Sequence, residues 1–163
     1  MTEIYIDGDA CPVREEVYRV ADRLNLIVHV VSNGSRPIRP PADPRIRMVT
    51  VSEGADIADD WIAERITDVD LSVTSDIPLA SRCLAKGARA VAPYGKIWTG
   101  DNIGSALVGR EIGYAMREAG QITKGPSALT KADRSKFLEV LDRELRTAMR
   151  PKPAIRAIPW PES

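Results

Sequence analysis

Short apolar runs rich in β-branched residues alternate, over the first 92 positions of the chain, with segments whose apolar residues recur every three or four places. The first run, Ile4-Tyr5-Ile6, ends in Asp7-Gly8-Asp9, and behind it Val13, Val17, Val20, Ala21 and Leu24 hold helical spacing. Pro12 suits the first turn of that helix, so the order is strand, acidic loop, amphipathic helix. Leu26 to Val31 reads as a second buried strand ending at Ser32-Asn33, and the four prolines between Gly34 and Pro44 predict an irregular loop. A third strand from Ile46 to Val51 and a helix from about Ala55 to Ile66 follow. Leu71 to Thr74 is a fourth strand, leading through Ser75-Asp76 into a helix that Pro78 opens and Gly87 stops. Ala88 to Ala92 is a fifth strand, closed by Pro93.

Strands that alternate with helices predict a mostly parallel, five-stranded sheet inside a three-layer α/β/α domain with right-handed crossovers. The remainder reads as C-terminal helices, about Ile103 to Ala119 and Lys131 to Met149, the second opened by Thr130 with Asp133 in a capping-box pattern. Residues 1–149 then form one domain, and 150–163, with four prolines, a tail.

Composition narrows the class without naming a function. The 163 residues are 44% hydrophobic and 28% charged, an ordinary globular balance that excludes a disordered chain, a coiled coil, a membrane protein and a disulfide scaffold. Cys11 and Cys83 have no CxxC spacing, and a lone His29 on an apolar run offers neither a His-rich metal site nor an obvious catalytic triad. No secretory or membrane segment is visible, so the expected location is the cytoplasm.

Net charge is zero, with 23 basic and 23 acidic residues, but the charges are not mixed evenly. Glu53 to Asp76 holds eight acids against Arg65 alone, whereas beyond residue 105 eleven bases face seven acids. In open parallel sheets ligands bind beyond the carboxyl ends of the strands. Asp7 and Asp9 end the first strand there, Ser32 and Asn33 the second, Thr74, Ser75 and Asp76 the fourth, while Asp56 and Asp60 share one face of the helix after the third. Capping accounts for Asp7 or Asp76 singly, not for Asp7, Asp9, Asp56, Asp60 and Asp76 together. Crowded carboxylates repel unless a cation neutralises them, and an oxygen-only donor set suits Mg²⁺ or Mn²⁺. Such an ion activates water for phosphoester hydrolysis.

At these residues a resemblance appears. IYIDGDACPV, GADIADDWI, VTSDIPLA, GDNI, MREAG and KGPSALTKADRSKFLEVLDREL resemble, in order, the motifs of the YaiI/YqxD family of uncharacterised bacterial proteins, itself similar to PIN-like nucleases. The resemblance implies a metal-dependent nuclease, RNA ahead of DNA as its substrate, Asp7 and Asp76 as strand-end metal ligands, Thr74 or Ser75 as an orienting hydroxyl, and Asp56 or Asp60 as a helix-borne acid. Asp9 belongs to the family's own Asp-Gly-Asp-Ala-Cys-Pro motif. The junction after the fifth strand, Pro93-Tyr94-Gly95-Lys96, lacks the further acid of those nucleases.

Other residues have two readings each. Lys96 and Arg110 are candidate phosphate contacts or solvated charges. Asn33 and Asn102 are candidate substrate contacts, with Asp101 or Asn102 alternatively capping the helix that follows. Trp61 fits a core position, Trp98 a base-stacking platform, and Cys11 a buried structural thiol rather than a nucleophile. Two other functions compete with the nuclease: a haloacid-dehalogenase-like phosphatase, in which Asp7 is the nucleophile and Asp9 the acid/base, and an inactive PIN-like module that binds RNA or protein. Homo-oligomerisation is left open.

Overall fold

A computed structural model describes residues 1–34, 38–54, 56–107 and 129–150. Six strands, β1 (Glu3–Asp7), β2 (Ile27–Ser32), β3 (Ile46–Thr50), β4 (Leu71–Val73), β5 (Arg89–Val91) and β6 (Ile97–Trp98), form one sheet in the order β3-β2-β1-β4-β5-β6. The first five are parallel, and β6 turns back antiparallel beside β5. The helices are α1 (Arg14–Leu24), α2 (Ile57–Arg65), α3 (Ile77–Ala85), a helical stretch over 100–107 (α4) and α5 (Lys131–Met149).

Both faces of the sheet are covered, which is why its strands read as apolar runs rather than as alternating ones. Ile4, Ile6, Val28, Val30, Leu71 and Val73 point to one face and pack with Val13, just before α1, with Val17, Val20 and Ala21 of α1 and with Phe137, Leu141 and Leu145 of α5. Their neighbours Tyr5 and Val31 point to the other face, against Ile62 and Ala63 of α2 and Leu79 and Cys83 of α3. The expected α/β/α layering is thus realised. His29 lies within β2 with its ring stacked on Tyr5, centroids 4.6 Å apart, and its Nε2 2.6 Å from Glu3 Oε1. It is a partnered strand residue.

Several boundaries differ from the sequence pattern. Pro12 does not begin α1: a short 3-10 turn, Gly8–Ala10, intervenes, and α1 starts at Arg14. β6 was not expected, because two residues are too short for a periodic signal; Gly95 at φ +90° makes the tight turn that creates it. Helical structure begins at 100 rather than 103, and 108–119 lie outside the described residues, as does the 151–163 stretch. The Thr130–Asp133 capping box is present with both reciprocal bonds. No described helix is long and apolar enough to cross a membrane.

The chain leaves β1 through α1 to reach β2 on one side, and returns from β3 through α2 to place β4 on the other. The order of strands therefore reverses between β1 and β4. Crevices open beyond the carboxyl ends of strands at such a reversal.

Candidate acidic site

The site begins with a glycine that has no room for a side chain. A Cβ on Gly8 would lie 2.9 Å from Val30 Cγ1 and 3.1 Å from both Ile38 Cδ1 and the Val31 carbonyl oxygen. That close approach lets the 3-10 turn settle over the end of β2, and Arg14 holds it there by donating to the carbonyls of Gly8 (2.9 Å) and Cys11 (3.3 Å). Asp9 then accepts the Asn33 backbone N–H on Oδ2 at 2.9 Å. Its Oδ1 is buried without a hydrogen-bond partner. Gly8→Ala is expected to cost about 1–3 kcal/mol through overpacking and to lengthen the Asp9–Asn33 bond; urea unfolding and the amide shift of Asn33 report the two effects, and an unperturbed amide shift would refute this account of how Asp9 is placed.

Asp76 is built differently. Its Oδ1 caps α3 by accepting the Leu79 N–H at 3.0 Å, and its own N–H donates to Thr74 Oγ1 at 2.9 Å. The capping reading of Asp76 is therefore correct, and capping coexists with a place in the pocket. Thr74 is buried and its carbonyl accepts the Trp98 indole N–H at 3.2 Å. Trp98 is buried at this post, so it does not offer the exposed ring that base stacking needs.

Asp7, Asp9, Asn33, Gly54, Ala58, Asp59 and Asp76 line a pocket of about 390 Å³ at the β1/β4 reversal. Asp59 takes the helix-borne place that the sequence reading gave to Asp56 or Asp60. Asp60 is engaged by Arg82 of α3 at 2.7 Å, and Asp56 stands exposed just before α2. The signal for Asp59 was in the sequence: it lies three, four and seven residues before Ile62, Ala63 and the C-cap Ile66, the buried stripe along α2 and its end, so it shares the face turned toward the sheet. Pairing acids by i, i+4 spacing found the neighbouring face instead.

Crowding alters the carboxyls. Burial, then the charges of Asp9 and Asp76, push the Asp7 carboxyl up to about 6, partly offset by the Asp9 N–H that hydrogen-bonds it. Asp59 is pushed up to about 7 by burial, then by the charges of Asp76, Asp7 and Asp56 and by a side-chain hydrogen bond with Asp76. In the same region burial drives the Cys11 thiol up to about 12, which keeps it protonated and makes it a structural thiol, not a nucleophile.

The other candidates lie elsewhere. Ser75 is exposed beside Asp76, and Lys96 is exposed on the β5–β6 turn with Nζ 4.9 Å from the Trp98 ring centroid. Asn102 is consumed by capping: its Oδ1 accepts the Thr99 N–H, its N–H donates to Thr99 Oγ1, and its Nδ2 donates to the Ile97 carbonyl. Thr99 and Asn102 thus cap the helical stretch reciprocally, which is the capping alternative for Asn102, while Asp101 is exposed. Arg110 lies outside the described residues.

Among the described residues, no group of three or more His, Cys, Asp or Glu side chains is placed so that it could hold a metal ion. Mg²⁺, however, keeps several waters and takes only one or two carboxylates directly. An oxygen-only pocket with raised Asp7 and Asp59 and an unpartnered Asp9 Oδ1 fits an ion of that water-rich kind.

Fold and pocket together define an α/β domain with an acidic crevice at its strand-order reversal. Residues 5–147 match the family described as uncharacterized BCR, YaiI/YqxD family. Similar relatives include a UPF0178 protein of Rhodospirillum rubrum, 49% identical over 148 residues covering 91% of this chain and 98% of the relative. Another is a UPF0178 protein of Caulobacter vibrioides strain NA1000, 51% identical over 150 residues, 92% and 97% of the two chains. A third, from Azorhizobium caulinodans, is 52% identical over 139 residues, 85% and 86%. No solved structure matches the chain. The chain belongs to the YaiI/YqxD family.

Proposed function

We propose that the chain is a divalent-metal-dependent nuclease that hydrolyses phosphodiester bonds, with RNA as the favoured substrate. The observation that carries this reading is the meeting of Asp7, Asp9, Asp59 and Asp76, from three separate segments, in one pocket at the sheet's reversal point. The RNA preference rests on the resemblance to PIN-like nucleases.

Asp7, Asp76 and the unpartnered Oδ1 of Asp9 are the oxygen donors offered to Mg²⁺ or Mn²⁺ and its waters. Bound there, the ion would supply an activated water and stabilise charge that develops on the phosphoryl group. Asp59 and Asp76 share a hydrogen bond that needs a proton on one carboxyl, and a cation held here would compete with that proton. Thr74 Oγ1 and the Leu79 N–H fix the orientation of Asp76, and the Asn33 N–H fixes that of Asp9.

Mn²⁺ titration and RNA cleavage by the native chain, Asp7→Asn and Asp76→Asn test the reading. Asparagine at 76 keeps an oxygen to cap α3, so the fold should survive. Mn²⁺-dependent cleavage is expected to fall by roughly a hundredfold or more in each variant, since the charge stabilisation from such an ion is worth several kcal/mol. A native chain that binds no Mn²⁺ and cleaves no RNA overturns the proposal. Turnover of a phosphomonoester with a phosphoryl adduct on Asp7 would replace it with the aspartyl-nucleophile chemistry.

A further inference from the structure

An acidic pocket repels the polyanion it is proposed to cut, so cationic groups must lie within reach of it. Arg82 is committed to Asp60, Arg134 to Glu16 and the Pro12 carbonyl, Arg89 to Glu144, and Lys86 to the carbonyls of Ala63 and Glu64. Lys96 and Lys136 are exposed, and among the described residues neither has an ion-pair partner.

Those two lysines lie together. The β5–β6 turn rests on the first part of α5 so closely that a Cβ on Gly95 would be 2.9 Å from Lys136 Cγ. On the same turn, next to Gly95, stands Tyr94, whose 41% exposure is unusual for a side chain of its size among the described residues. Gly95 at φ +90° and the Ala92–Lys96 backbone pairing, with the Ala92 N–H donating to the Lys96 carbonyl at 2.8 Å, make the turn a fixed one.

The turn is also tied to the acidic pocket. β5 is the next strand after β4, and neighbouring strands lie about 4.8 Å apart. Trp98, on β6, donates its indole N–H to the carbonyl of Thr74, whose hydroxyl in turn accepts the N–H of Asp76. Lys96 lies over that same indole. Tyr94, Lys96 and Lys136 are therefore held one strand beyond Asp76 on the carboxyl edge of the sheet. A partly exposed tyrosine on the same turn as Lys96, with Lys136 packed against that turn, has the chemistry of a single-strand platform: the ring stacks on an unpaired base and the lysines meet flanking phosphates. A duplex presents no free base face to such a ring.

Resting on the nuclease reading of the acidic pocket, we infer that Tyr94, Lys96 and Lys136 form a shelf that binds single-stranded nucleic acid and leads it into that pocket.

The test is anisotropy of a labelled single-stranded oligouridylate with the full chain, with Ca²⁺ replacing Mg²⁺ or Mn²⁺, alongside a duplex of the same length and a separate Mn²⁺ titration. Tyr94→Ala is expected to weaken single-strand binding by roughly 5- to 150-fold, the range found when a base loses its aromatic partner, and Tyr94→Phe to restore it. Lys96→Gln with Lys136→Gln should flatten the salt dependence of binding by about 1.4 in log–log slope, two phosphate contacts on a single strand. All of these variants should bind Mn²⁺ as the native chain does. Equal affinity for duplex and single strand, or unchanged affinity in Tyr94→Ala, overturns the shelf. Loss of Mn²⁺ binding by the native chain with the Tyr94 effect intact overturns the metal reading and leaves the shelf standing.

Discussion

Asp59→Asn, measured without divalent metal at pH 8, is expected to raise the thermal midpoint above that of the native chain, by about 2–4 °C for each kcal/mol of repulsion removed from a domain of this size. The reason lies in the sign of the carboxyl shifts. Asp7 and Asp59 stand at about 6 and about 7 in the folded chain, against an ordinary 3.8. Between these limits the folded chain holds more protons than the unfolded one, so its stability falls as pH rises through the window from about 4 to about 7. The native chain should accordingly melt higher at pH 5 than at pH 8. Asparagine removes one of the converging charges and keeps an amide that can donate to Asp76, so the pH dependence should shrink together with the rise in midpoint. Mn²⁺ should do for the native chain at pH 8 what the substitution does, and should do less for the variant. Scanning fluorimetry from pH 5 to 8, with and without Mn²⁺, reads all three effects; a variant that melts lower than the native chain at pH 8 would sink the account of the pocket as a store of repulsion.

Phe137→Ala is expected to cost about 3–5 kcal/mol. Phe137 is the chain's single phenylalanine and has no accessible surface. It stands in α5 within the core that the sheet shares with α1, among residues as tightly buried as Ile4, Ile6, Leu141 and Leu145. Removing its ring leaves a cavity that strands fixed on both sides cannot close, and a domain has only about 5–15 kcal/mol in all. Urea unfolding should show the midpoint falling with the slope unchanged. A loss below about 1 kcal/mol would mean that α5 does not pack on the sheet as described.

Much of this architecture was legible in the sequence because strands buried on both faces leave unmistakable apolar runs, and because Thr130, Asp133 and Gly87 punctuate helices by simple local chemistry. The acids at strand ends were legible for the same reason: Asp7 follows directly upon Ile4-Tyr5-Ile6, and Asp76 follows Leu71-Ser72-Val73 after Thr74 and Ser75. What was hidden depends on partners remote in sequence. Asp60 looks like a pocket acid until Arg82 is found beside it, and Trp98 looks like a surface ring until the Thr74 carbonyl is found at its indole nitrogen. The hairpin of β5 and β6 was invisible because a two-residue strand has no period to detect. Asp59 is the instructive exception, since the stripe through Ile62, Ala63 and Ile66 pointed to it.

The pairing of β1 with both β2 and β4 has a kinetic consequence. Asp7 and Asp9 meet the end of β2 after one short crossover, but Asp76 reaches them only when Ile4, Tyr5 and Ile6 pair with Leu71, Ser72 and Val73 across some 67 positions of chain. Contacts that close so long a loop form late, after their entropy has been met by others. A partly folded chain that holds only β1, α1 and β2 has half of the acidic crevice and little of its mutual repulsion. The complete crevice, and any affinity for a cation that it creates, comes into being only with the closing of the central pair of strands, so a bound ion should slow the opening of that pair far more than it speeds its formation.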